Sequence, residues 1–223
     1  MTGVKVKICG ITTLEDGLTA ARAGADLLGL NFFPKSPRYI HPDAARDLAE
    51  GLRAELGTSC PSLVGLFVNE VVGSISITME KVGLNFAQLS GDESVEMLRE
   101  LRGIAFKSIR PRSAKEALDD AAYFGQFPLV DARIPSLLLD AYHPQLYGGT
   151  GEQASAEVAL VVREKTPRLM LAGGLTPENV AARIAAIKPW AVDVASGVEG
   201  GTPGRKDAIK VQAFIAAVHS TGE

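Results

Sequence analysis

The chain has 223 residues, of which 46% are hydrophobic, and a formal net charge of −3. That length suits one large domain and that composition supplies a full core. Lys and Arg are scattered rather than clustered, which argues against a phosphate-backbone surface for nucleic acid, and no apolar run approaches the ~18 residues of a membrane helix.

Strand and helix signals alternate from end to end. Val4–Cys9 reads as a first strand, followed by helical spacing over Leu14–Ala23. A second strand over Asp26–Phe33 leads through a proline-rich loop to a helix at Pro42–Leu56, which His41-Pro42-Asp43 opens with a cap and a proline at the first position. Ser62–Asn69 and Asn85–Gly91 are the third and fourth strands, with a helix at Ser94–Leu101 after the fourth. Ile104–Arg110 is the fifth. The sixth has two candidates, Phe127–Ala132 and Ser136–Ala141; the latter is preferred because it ends in Asp140 and leads into a glycine-rich loop. Arg168–Gly174 and Ala191–Gly197 complete the set, with Thr176-Pro177 placed to cap and start a helix over Pro177–Ile187.

Eight strand–helix units imply a parallel sheet closed into a (β/α)8 TIM barrel, one domain over residues 1–223. An open doubly wound sheet is the rival, but the first strand is followed by Cys9-Gly10-Ile11-Thr12, without a Gly-x-Gly-x-x-Gly turn. The chain starts with a strand almost at once, so no signal peptide is expected and the expected compartment is the cytoplasm. Cys9 and Cys60 do not make a disulfide framework, and Cys60 in its loop receives no role. His41, His143 and His219 lack metal-ligand spacing, so no metal is proposed.

Barrels place their chemistry at the C-terminal ends of their strands. Cys9 ends the first strand and Asp140 the sixth, so both belong on one rim. A strand cysteine is commonly just a small buried apolar residue; here its rim position and the following Gly10 favour a thiolate base, since a free thiol is only slightly alkaline. Asp140 follows three leucines, an apolar setting that suits a carboxylic acid holding a proton for delivery. Gly173-Gly174 and Ser196-Gly197 end the last two strands, where barrels commonly hold phosphate through backbone N–H groups; Gly148–Gly151 is as readily a turn as a ligand contact. Arg38, in the loop after the second strand, carries a guanidinium suited to a carboxylate. Asp193, inside the last strand, is placed to point into the barrel mouth or to pair with a neighbour. Gly200–Lys206 looks superficially like a P-loop but lacks the Gly-Lys-Ser/Thr ending.

Seven stretches in order resemble the phosphoribosylanthranilate isomerases: Lys-Ile-Cys-Gly-Ile-Thr (7–12), Phe-Pro-Lys-Ser-Pro-Arg-Tyr-Ile (33–40), Val-Gly-Leu-Phe-Val-Asn (64–69), Gln-Leu-x-Gly-Asp-Glu (88–93), Leu-Leu-Leu-Asp (137–140), Leu-Ala-Gly-Gly-Leu-Thr-Pro-Glu-Asn-Val (171–180) and Val-Asp-Val-x-Ser-Gly-Val-Glu (192–199). The resemblance implies an Amadori rearrangement of an aminoaldose phosphate to an aminoketose, without a cofactor. It implies Asp140 as general acid on the ribose ring oxygen and Cys9 as base at C2′. It also implies Arg38 on the anthranilate carboxylate and phosphate near Gly174, Ser196 and Gly197; Asp193, from its place in the last strand, is counted with the substrate-binding residues. The implied partner is a small phosphosugar, with no membrane or nucleic acid, acting as monomer or homodimer. The chain departs from the family at Ser90, where histidine is usual, and at Glu152–Ser155, where an aromatic pair is common. Two other readings stand beside this one: another phosphosugar barrel enzyme, whose first-strand motifs are missing, and a barrel that has lost catalysis, which only the two departures support.

Overall fold

In a computed structural model, which describes residues 3–125, 131–140 and 156–222, eight parallel strands close into a barrel in sequence order. They are β1 Lys5–Cys9, β2 Leu27–Asn31, β3 Ser62–Phe67, β4 Phe86–Leu89, β5 Ala105–Ile109, β6 Leu137–Leu139, β7 Leu169–Leu171 and β8 Ala191–Val194. Every neighbour pair is parallel, and β8 returns to β1 with Lys7 opposite Asp193. Closure removes the open doubly wound alternative. The sixth strand is the run that leads into Asp140; of the competing segment, residues 127–130 lie outside the described residues, while 131 and 132 are not strand.

The helices are α1 Leu14–Ala23, α2 Pro42–Leu56, α3 Val72–Val82, α4 Val95–Glu100, α5 Ala114–Phe124, α6 Ala156–Lys165, α7 Val180–Ile187 and α8 Ala208–His219. Side-chain caps open α1, α2, α5 and α8. Thr13 accepts from the Asp16 N–H ahead of α1, His41 from the Asp43 N–H ahead of α2, and Asp207 from Ile209 and Lys210 ahead of α8. The seventh helix corrects the sequence reading. Thr176-Pro177 opens a turn, not a helix, because the Asn179 side chain accepts the Thr176 N–H at 2.9 Å and donates to Gly174 O at 2.8 Å. That turn holds the end of β7 closed, and helical backbone begins only at Val180.

Alternate strand residues face opposite sides, and the sequence pattern follows. Val6 and Ile8 of β1, Leu137 and Leu139 of β6, and Val192 and Val194 of β8 join the shell between barrel and helices. The opposite positions fill the barrel: Leu27, Val64, Phe86, Phe106, Leu138, Met170 and Ala191 make a separate apolar plug. Each large side chain in that plug contributes roughly 1.5–3 kcal/mol through burial. Toward the C-terminal ends the same inward positions turn polar, at Lys7, Cys9, Asn31, Gln88, Ser108 and Asp193. The plug is a floor, and the chemistry stands on it.

Two buried ion pairs brace the strands. On the outer side of the sheet, Lys107 Nζ donates to Glu93 Oε2 at 2.8 Å and to Gly91 O at 2.5 Å, pinning the loop after β4. Burial pulls the Lys107 pKa down, and Glu93 opposes that pull. Inside the barrel, Lys7 Nζ donates to Asp193 Oδ1 at 3.0 Å.

Candidate active site

A single cleft over the C-terminal mouth of the barrel takes in all of the residues singled out from the sequence: Cys9, Arg38, Asp140, Gly174, Asp193, Ser196 and Gly197. They come from the C-terminal ends of β1, β2, β6, β7 and β8 and the loops that follow them, and only closure of the barrel brings them together. The glycine segment 148–151 and the loop at 152–155 lie outside the described residues.

Cys9 is the last residue of β1 and faces the barrel interior, 6% exposed. Burial pushes its thiol above the usual range, while the ammonium groups of Lys7 and Lys206 pull it back and the Asp193 carboxylate adds to the rise. Asp140 follows β6 directly, half-buried, with its backbone N–H donating to Ile109 O at 3.0 Å. That bond extends the β5–β6 ladder by one residue and turns the carboxyl inward, two positions beyond the plug residue Leu138.

The loop after β2 is folded by its own side chains. Asn31 Oδ1 accepts the Phe33 N–H at 2.9 Å and its Nδ2 donates to Ser36 Oγ at 3.0 Å; Ser36 Oγ in turn accepts the Arg38 N–H at 3.1 Å. Arg38 is thereby laid back across Gly10, where a Cβ would stand 2.6 Å from Arg38 Cδ and where φ is +74°. Glycine after Cys9 therefore makes room for the arginine stem. The guanidinium is bidentate on Glu199, with Nε at 2.7 Å from Oε1 and Nη2 at 2.8 Å from Oε2. Glu199 also accepts from Lys206 Nζ at 3.2 Å and from the Gly204 N–H at 2.9 Å. Burial works to raise the Glu199 pKa, but these donors outweigh it and hold the carboxylate below its ordinary range.

Asp193 fulfils both alternatives offered by its position, lining the cleft and pairing with Lys7. On the late-strand side, Gly173 and Gly174 follow β7 with φ of +88° and +59°, and Ser196–Val198 form a short 3-10 turn after β8.

Among the polar residues in or beside the site that carry no role in the sequence reading are Lys7, Gln88, Glu199 and Lys206. Lys7 was legible in principle. It alternates with Cys9 in a strand, so it shares the inward face, and a charge there needs a counter-charge, which Val-Asp-Val in the last strand supplies. Glu199 and Lys206 become neighbours of Arg38 and Cys9 only through the turn after β8, and no local pattern announces that.

A thiol and a carboxyl line one cleft in the mouth of a single-domain (β/α)8 barrel, beside a glycine-lined rim after β7 and β8, and that mouth is where barrel enzymes act on small substrates. The family model for N-(5'phosphoribosyl)anthranilate (PRA) isomerase matches residues 6–217. An N-(5'-phosphoribosyl)anthranilate isomerase of Trichlorobacter lovleyi is 44% identical over 212 residues, covering 95% of this chain and 96% of that one. The solved phosphoribosyl anthranilate isomerase of Thermotoga maritima has a TM-score of 0.84 at 38% identity, covering 97% of this chain and 99% of that one. A structure of the isomerase in complex with reduced 1-(o-carboxyphenylamino)-1-deoxyribulose 5-phosphate has a TM-score of 0.81 at 36% identity, with the same coverage. The chain belongs to the phosphoribosylanthranilate isomerase family, the aldose–ketose isomerases of tryptophan biosynthesis.

Proposed function

We propose that this chain converts N-(5′-phosphoribosyl)anthranilate to 1-(2-carboxyphenylamino)-1-deoxyribulose 5-phosphate with Asp140 as general acid and Cys9 as general base. The observation that carries this reading is the shared cleft: a carboxyl just after β6 and a thiol at the end of β1 both line it, above a plug that closes the barrel below. Asp140 protonates the ribose ring oxygen, the C1′–O bond breaks, and the anthranilate nitrogen lone pair forms the C1′=N bond of a Schiff base. The Cys9 thiolate then removes the C2′ proton, and the electron pair moves into an enolamine with C1′=C2′. Tautomerisation of that enolamine, with the C2′ hydroxyl losing a proton and C1′ gaining one, leaves the ketone. Solvent returns a proton to Asp140 and takes one from Cys9, so no cofactor enters.

The remaining residues divide the substrate between them. The Arg38 guanidinium spends Nε and Nη2 on Glu199; among the described residues Nη1 carries no hydrogen bond, and it is the edge offered to the anthranilate carboxylate. Gly174, Ser196 and Gly197 line the cleft at the two strand ends where barrels bind phosphate. Asp193 stands between Lys7 and the cleft, where it orients the sugar beside the thiol. The same reading places the enzyme in the cytoplasm as a monomer or homodimer with no nucleic-acid partner; among the described residues no helix is long and apolar enough to cross a membrane.

The test is steady-state turnover of substrate generated in situ, followed through loss of anthranilate-type fluorescence. Turnover that disappears in Asp140→Asn is expected. Wild-type protein that binds the reduced product analogue but turns nothing over would leave a binding barrel and remove the catalytic reading.

A further inference from the structure

The far wall of the cleft, on β4 and β5, carries polar side chains that the mechanism above does not use. Gln88 of β4 is 4% exposed and lines the cleft, as do Ser90 and Ser108, each also 4% exposed. Gln88 Nε2 donates to Ser90 Oγ at 3.1 Å. Ser90 itself is fixed by its backbone, its N–H donating to Phe67 O at 2.8 Å and its carbonyl accepting from Arg110 Nη2 at 2.6 Å. The amide is therefore held at one end by a rigid partner. Its other end, Oε1, is buried and has no hydrogen-bond partner among the described residues.

A buried carbonyl oxygen left unpaired costs about 1–3 kcal/mol, and such a group in a native site calls for a reason. Stability supplies none, because methionine would fill the same volume without the unpaired atom. The cleft supplies one. Turning the amide over would pair Oε1 with the Ser90 hydroxyl and leave the NH2 group without that partner instead, so in either orientation this cleft-lining residue keeps polar capacity that a ligand can satisfy. A sugar hydroxyl, which both donates and accepts, satisfies either. The topology points the same way. Gln88 sits on β4, across the barrel from the β7–β8 rim that takes phosphate and away from the Arg38 loop after β2 that takes the aryl carboxylate. What remains of the substrate for it to meet is the pentose chain.

We infer that Gln88, held by Ser90, is a specificity-determining residue that takes a hydroxyl of the substrate's pentose chain at C3 or C4. The inference rests on the proposed function, and it deepens it. A site built around a polar atom discriminates strongly against a ligand that lacks the partner, because the atom is then buried unpaired in the complex.

The experiment is calorimetric binding of the reduced product analogue and of its 3-deoxy and 4-deoxy counterparts to wild type and to Gln88→Met, with thermal melting of both proteins. Wild type is expected to bind one of the deoxy analogues about tenfold or more weakly than the parent. Gln88→Met is expected to abolish that discrimination while melting no lower than wild type. Wild type binding all three alike, or Gln88→Met keeping the discrimination, overturns the inference. So does a Gln88→Met protein that melts well below wild type and loses affinity for all three equally, since that is the behaviour of a structural residue. Wild type that does not bind the parent analogue at all overturns the functional reading, and the inference with it.

Discussion

Lys7 Nζ lies 3.0 Å from Asp193 Oδ1 inside the barrel, and the lysine side chain reaches that point past Gly29, which has no side chain to block it. A Cβ on Gly29 would stand 2.7 Å from Cys9 Sγ and 3.1 Å from Lys7 Nζ, so the thiol and the ammonium share the space beside β2. Burial would by itself lower the Lys7 pKa, but Asp193 and Cys9 together raise it above its ordinary value, and the ammonium persists where water does not reach. The thiol thus sits between a cation that favours its thiolate and a carboxylate that disfavours it.

Opposite shifts follow from that arrangement. In a Cys60→Ser background, the pH dependence of Cys9 alkylation by iodoacetamide should move to higher pH in Lys7→Met and to lower pH in Asp193→Asn. The first variant removes a charge that lowers the thiol pKa, the second one that raises it. Generic loosening of the barrel would expose Cys9 in both and shift both the same way. Two shifts of the same sign would mean that burial alone governs the thiol.

Cys9→Ser tests the base directly. A serine hydroxyl does not ionise in the accessible pH range, so kcat should fall by about 10²–10⁴ while KM changes little. Because burial raises the thiol pKa, wild-type kcat/KM should climb with pH from neutrality toward the alkaline side, and that limb should be missing from the serine variant's residual rate. A serine variant with near-native turnover removes Cys9 from the reaction.

Arg38→Ala should raise KM by about 10–100-fold with a smaller effect on kcat, as expected for a charge-assisted contact to a group remote from the bond changes. Glu199 retains Lys206 and the Gly204 N–H in that variant, so its carboxylate is not stranded. A substrate analogue without the ring carboxylate provides the control, since it should bind wild type and variant alike. If the variant loses as much affinity for that analogue as for the parent, Arg38 acts on something other than the carboxylate.

How far the sequence reached follows from where each signal lives. An apolar, β-branched-rich run is a local signal, so the eight strands are legible in the sequence, and the rim positions of Cys9 and Asp140 with them, because strand ends and barrel rims coincide. The α7 start was misread because the Asn179 amide bonds three residues backward, and a Thr-Pro pair looks the same whether it opens a helix or a turn. Arg38 was visible as a loop cation; its fork on Glu199 was not, since 161 residues separate the two. Gln88 stood in a motif without a role because an unpaired atom is a fact of three dimensions.

Glu93→Ala strands the buried Lys107. The side chains of Lys107 and Glu93 are 5% and 0% exposed, and Glu93 also accepts the backbone N–H groups of Asn69 and Gly91. Removing one partner of such a pair costs about 3–5 kcal/mol, because the other charge stays buried alone. Denaturant titration should show that loss, and Glu93→Ala/Lys107→Met should recover a large part of it. A single variant within about 1 kcal/mol of wild type would mean that water already reaches Lys107.

Glu199 ties the Arg38 loop to the turn after β8, and it makes part of the fold's stability depend on pH. Its folded pKa lies below the ordinary glutamate value of 4.5 because Arg38, Lys206 and the Gly204 N–H all favour the carboxylate. A group with a depressed folded pKa contributes its stability in full above its unfolded pKa and loses it as pH falls through the folded value. The contribution should therefore be constant from neutrality down to about pH 4.5 and disappear below it. Chemical denaturation at a series of pH values should show this as a fall in stability on the acid side that is shallower in Glu199→Gln, because glutamine takes up no proton there. At pH 7 the same variant should be the less stable protein, having lost the bidentate bond to Arg38, and the two stability curves should converge as the pH is lowered. Parallel curves at all pH values would show that Glu199 titrates alike in folded and unfolded chains, and the charge network around Arg38 would then not be what holds the loop to the barrel mouth.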